Sequence, residues 1–162
     1  MKKTNKVGSG IKARGFFRLN VVNPDGSVAG DSGWRENQIV DNGFQQFLQY
    51  AIIGSAGSKT ATHAALGTGT IPGASATSLP GELTDAAGCR CALTTGTTGS
   101  KTVSFTFTLN SNVITAARTI NNVGLFNGST TNAGTLFAGN TYPTSALATN
   151  QAVNGTYQIS FA

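Results

Sequence analysis

Residues 102–109, TVSFTFTL, alternate without a break. Val103, Phe105, Phe107 and Leu109 fall on one side; Thr102, Ser104, Thr106 and Thr108 fall on the other. A period of two over eight residues cannot make one apolar stripe on a helix. It predicts a strand with one buried face and one hydroxyl-lined face. The period returns at the C-terminal end, where Tyr157, Ile159 and Phe161 alternate within Gly155–Phe161. Such strands have to be covered by other strands. The 162-residue composition agrees, with 21 glycines and only 10% charged residues, against about 25% in an average globular protein. Abundant Thr, Ser and Asn favour strands and turns over helices.

Further strands follow from the same reasoning. Phe16–Val22 reads as a strand stopped by Asn23-Pro24-Asp25-Gly26, because Pro presets φ and Gly accepts φ > 0. The chain returns from Ser27 toward Trp34. Short strands are expected at 62–66, 88–94, 122–126 and 134–138, and 113–119 is expected to pair with the 101–110 strand. Residues 71–86, broken by Pro72 and Pro80, read as a long loop. One helix is predicted over 44–53, capped by Asp41 or Asn42 and ended by Gly54. Its apolar face would be Phe44, Phe47, Leu48 and Ala51. Many short strands with frequent turns predict a mainly β domain, an antiparallel β-sandwich or jelly roll with one short helix.

Charge divides the chain. Lys2, Lys3, Lys6, Lys12, Arg14 and Arg18 crowd the first 18 residues with no acid among them. From residue 19 onward the 11 − 6 = 5 remaining bases face 6 acids. With Gly8, Gly10 and Gly15 interspersed, residues 1–18 read as an extended, flexible basic arm, and 19–162 as one β-rich domain. The arm is expected to tether the domain to an acidic surface. Nucleic acid is disfavoured as that surface, since no aromatic platform or basic stripe follows the arm. No apolar run approaches the ~18 residues of a membrane span. The basic start lacks the apolar stretch of a signal peptide.

The catalytic inventory is thin. His63 is the only histidine, and no G-x-S-x-G elbow accompanies it. Cys89 and Cys91 sit two apart on one face of a strand, with no second pair to complete a metal site. They read as half-buried thiols, with an intermolecular bridge as the remaining alternative. Gly67-Thr68-Gly69-Thr70 lacks the Gly-Lys-Ser/Thr ending of a phosphate loop. The six carboxylates are scattered, and Asp25 and Asp41 have turn and cap roles. The expectation is a protein that is not an enzyme and uses no cofactor or metal. Trp34, Tyr50, Tyr142 and Tyr157 offer a competing use, as stacking platforms of a carbohydrate-binding module.

Three stretches, in order, carry a resemblance. They are Asn37-Gln38-Ile39-Val40-Asp41-Asn42-Gly43 leading into the helix, Ala64-Ala65-Leu66-Gly67-Thr68-Gly69-Thr70 with Thr77, Leu79 and Glu82 after it, and Asn122-Val123-Gly124-Leu125-Phe126-Asn127 followed by Gly134–Ala138. This order resembles β modules of tailed-bacteriophage virion proteins, both capsid decoration and tail-fibre-associated. It departs from them at Asn122, where such modules often carry an acid. The resemblance implies a virion location after synthesis in the host bacterial cytoplasm, and a homo-oligomer, favoured as a trimer. It implies the major capsid protein or other virion proteins as partners, with a capsid cement role favoured and a tail, baseplate or fibre adaptor as the alternative.

Overall fold

The alternation at 102–109 becomes a strand whose inward side chains Phe105, Phe107 and Leu109 are buried. The computed structural model describes residues 12–54, 56–57, 59–86 and 88–162. In chain order its strands are β1 (Ala13–Val22), β2 (Val28–Asp31), β3 (Arg35–Ile39), β4 (His63–Gly67), β5 (Arg90–Ala92), β6 (Thr94–Thr97), β7 (Thr102–Leu109), β8 (Arg118–Phe126), β9 (Leu136–Leu147) and β10 (Ala152–Phe161). All pairings are antiparallel. The sheet runs β5-β4-β8-β9-β3-β1-β10-β7-β6, with β2 on β1 beside β3.

The two ends of this path are made by one stretch of chain. β5 pairs with β4, and β6, beginning two residues after β5 ends, pairs with β7. Leu93 links them and donates its N–H to the Thr62 carbonyl at 2.9 Å. The sheet therefore curls until its ends meet through Leu93, nearly a barrel. The interior holds Phe17, Leu19 and Val21 from β1, Val153, Tyr157 and Ile159 from β10, and Ile120, Val123 and Leu125 from β8. Phe17 stacks on Tyr157 with ring centroids 5.9 Å apart and meets Tyr142 edge-on.

The β4–β8–β9 half is buried on both faces. Ala64 and Leu66 face the interior, whereas Ala65, Leu79, Phe126 and Leu136 form a second core beneath the 68–86 loop. Burial on both sides explains why HAALG and VGLF read as continuous apolar runs rather than alternating ones.

Three expectations are corrected. Residues 113–119 do not pair with β7, whose partners are β10 and β6. Val113 and Ile114 are both buried. Adjacent residues on a strand face opposite ways, so a loop is what lets both enter the core. Of the arm expected over residues 1–18, residues 13–18 lie in β1, and residues 1–11 lie outside the described residues. Lys12 already exchanges backbone hydrogen bonds with Ala162, and β1 begins at Ala13. Gly15 serves packing there: a Cβ would sit 2.8 Å from Asn37 Nδ2.

The helix differs in its winding. Gly43–Gln49 is π-wound and passes into α1, Tyr50–Ile53, which Gly54 ends at φ 64°. A π turn takes more residues than an α turn, so the apolar face rotates. Phe47 packs on Phe137 at 4.8 Å, while Phe44 and Ala51 are exposed.

Candidate functional site

Two of the three stretches that carried the resemblance, through Leu66–Thr70 with Glu82 and through Asn122, meet at one junction on the outer side of β4 and β8. Thr68 and Gly69 donate backbone N–H groups to Gly81 and Pro80, and Leu83 donates to Leu66. A Cβ at Gly67 would lie 2.9 Å from the Gly81 carbonyl, and one at Gly69 would lie 2.4 Å from Pro80. The glycines of the G-T-G turn are there so that the 79–82 backbone can lie against them. Asn122, fully buried, donates through Nδ2 to the carbonyls of Pro80 (2.8 Å) and Thr70 (3.2 Å). An ionised acid accepts only, so it could not hold these carbonyls.

Beside this junction lies a buried ion pair. Glu82 and Arg90 have side chains 0% and 1% exposed and pair bidentately. Arg90 also donates to the carbonyls of Gly128 and Ala133, and its guanidinium carbon stands 3.5 Å over the Phe126 ring. Glu82 accepts the Asn132 N–H. Four of the five guanidinium N–H groups and both carboxylate oxygens find protein partners, which makes the pair a clamp on the 79–84 and 127–135 loops.

The residues weighed for chemistry are dispersed. His63 Nδ1 lies 2.9 Å from its neighbour's hydroxyl, Thr62 Oγ1, and burial followed by the charge of Arg90 lowers its pKa. Cys89 and Cys91 are 1% and 4% exposed, more than the half-burial expected, and burial pushes the Cys91 thiol up to about 12. A buried thiol held protonated is a poor nucleophile and poorly placed for an intermolecular bridge. Among the described residues no three of His, Cys, Asp and Glu come together. No helix among them is long and apolar enough to cross a membrane.

The candidate stacking platform is broken up. Tyr142 and Tyr157 point inward and are 6% and 0% exposed, because they fall on the core phase of β9 and β10. Trp34 is 48% exposed at the β2–β3 corner.

The outer side of β1, β10 and β7 forms a face lined largely by polar side chains. Register aligns Arg14 with Ser160 and Thr102, Phe16 with Gln158 and Ser104, Arg18 with Thr156 and Thr106, and Asn20 with Asn154 and Thr108. Thr102 and Ser160 hydroxyls are 3.0 Å apart, and Thr108 donates to Asn154 at 2.9 Å. Of the six tether bases, Lys2, Lys3 and Lys6 lie outside the described residues. Lys12 and Arg14 are exposed at one end of this face, with no ion pair among the described residues. Arg18 instead binds Asp31 bidentately, because β2 sets Asp31 opposite Asn20.

One larger feature had no sequence signal. A groove of about 800 Å³ separates β2 from the second half of β9 and includes Arg35 and Arg118. Isolated bases on different elements share no spacing that could announce them.

No family model, curated protein or solved structure matches this chain.

Proposed function

We propose that this chain is a non-enzymatic structural protein of a tailed-bacteriophage virion, acting as a decoration (cement) protein on the assembled capsid shell. The observation that carries this reading is the junction of Gly67, Gly69, Glu82 and Asn122. Two of the three stretches that resemble virion β modules, remote in sequence, interlock there, which supports reading them together. The glutamate of the resemblance is held in a structural clamp, which suits a module built for contact rather than turnover.

The mechanism is mass action. A protein that binds only the assembled shell stabilises that shell. The hydroxyl- and amide-lined face of β1, β10 and β7 lies over subunit junctions. Lys2, Lys3, Lys6, Lys12 and Arg14 supply attraction to an acidic shell surface. The two halves of the sheet, joined at β3, act as the layers of a sandwich-like block, and three copies form the working unit. Partners are the major capsid protein or other virion proteins. The product leaves the host cytoplasm as part of the particle.

Quantitative mass spectrometry on purified particles, with heads separated from tails, tests the reading. Hundreds of copies travelling with heads are expected. A few to a few dozen copies with tails would transfer the assignment to a tail, baseplate or fibre adaptor. Absence from both would overturn the virion reading. A carbohydrate-binding role would then rest on exposed Trp34, and a glycan array would test it.

A further inference from the structure

The sheet splits open beside β2. β10 occupies one edge of β1 along its whole length. On the other edge β1 carries β3 at residues 15–17 and β2 at residues 20–22. β3 reaches β9 only at Gln38 and Ile39. β9 therefore continues past β3 bonded on one side to β8, and among the described residues no strand pairs with its other side over Pro143–Leu147. β2 pairs with β1 alone. Both bare stretches, Ala29–Asp31 and Pro143–Leu147, line the groove of about 800 Å³.

The walls of the groove are thus two strand edges with unpaired backbone groups, the geometry that accepts an added strand. Its lining is short-chained: Ala29, Gly30, Ala117, Ala146 and Ala148 leave the backbone reachable. Pro143 has no N–H to offer and bounds the usable edge to Thr144–Leu147.

Charge selects the occupant. Asp31 is matched by Arg18, and Arg118 by Asp85. Arg35 donates Nε to the Ser32 carbonyl at 2.9 Å, and no carboxylate pairs with its guanidinium among the described residues. The uncompensated charge of the groove is therefore a single, exposed arginine fork.

We propose that this groove docks an extended acidic segment of a partner protein, which enters as a strand between β2 and β9 and sets a carboxylate on Arg35. Backbone pairing supplies affinity and Arg35 supplies the charge preference. The proposal stands whether or not the chain is a virion protein.

The test uses the full chain with two end-capped hexapeptides, one alternating Glu and Val and the other Lys and Val. The Glu peptide is expected to bind at least about tenfold more tightly, with the gap narrowing as salt rises. Backbone hydrogen exchange should slow at Ala29–Asp31 and Thr144–Leu147 together. Arg35→Glu, an exposed change, should reverse the charge preference, and Arg35→Gln should abolish it. Failure of the Glu peptide to bind, equal binding of both peptides, or protection elsewhere would overturn the proposal. So would groove protection by a sulfated oligosaccharide but not by peptide, which would assign the groove to a glycan.

Discussion

Arg90 shows how a lone base in a neutral sequence becomes structural. Its charge is removed from water and returned to hydrogen bonds with Glu82, Gly128 and Ala133 and to the face of Phe126. Glu82→Gln leaves that guanidinium buried without its counter-charge and should cost about 3 kcal/mol. Adding Arg90→Met should recover part of the loss. It should remain about 1–2 kcal/mol short, because the carbonyls of Gly128 and Ala133 lose a donor. Urea titration of the three proteins measures both steps. Asp31 behaves differently, being exposed. The Arg18 hydrogen bond, then the Gly33 N–H, hold its carboxyl at about 2, below the ordinary ~3.9. A lowered carboxyl stabilises the fold fully above its unfolded value and loses that contribution as pH falls through the folded one. Stability should therefore decline from about pH 4 toward about pH 2, in part through Asp31. Asp31→Asn should flatten that acid limb in denaturation curves taken across the range.

At the scale of elements, the strands with one buried face were legible together with their facing, whereas those buried on both faces, expected at 62–66, 122–126 and 134–138 and present as β4, β8 and β9, were legible in place but not in which side meets the interior. β1, β7 and β10 alternate because one side meets core and the other water. β4 and β8 lack the alternation because the 68–86 loop covers their outer side. The helix was legible in place but not in phase. Gly43 sits so close to β9 that an added Cβ would lie 2.1 Å from the Phe137 carbonyl, and the π winding turns Phe47, not Phe44, into the core. Phe47→Ala should cost about 3 kcal/mol, whereas Phe44→Ala should cost under about 1 kcal/mol. Thermal or urea unfolding of the pair separates this phase from the one the periodicity predicts, in which both losses would be alike.

At the scale of the molecule, closure and charge distribution dominate. Residues 90–97 serve both ends of the sheet, so the fold depends on one bend at Leu93. The basic charge gathers toward one end of the chain. Reversing Lys2, Lys3, Lys6 and Lys12 to Glu should weaken attachment to purified shells and make the remaining binding less sensitive to salt. Co-sedimentation with shells at low salt checks this, and undiminished binding would remove the tether role. A urea unfolding curve of the variant that matches the unaltered protein's would show that lost attachment does not reflect unfolding.

The mainly β class, the strands with one wet face, the Asn23–Gly26 turn, the helix and the clustering of bases were all determined locally. Each depends on side-chain period, on backbone preference at Gly and Pro, or on counting charge. The tertiary structure decided the rest, because it depends on which surfaces meet. Gly15, Gly67 and Gly69 prove to be sites of close backbone approach rather than flexibility. Asn122 has to donate, since two carbonyls converge on it. Arg18 turns to Asp31, and Arg35 is left without a carboxylate among the described residues, because β2 and β3 share one edge of β1. Period along a chain reports how each segment divides its own faces between core and water. It carries no record of the segment that arrives from elsewhere to cover or spare them.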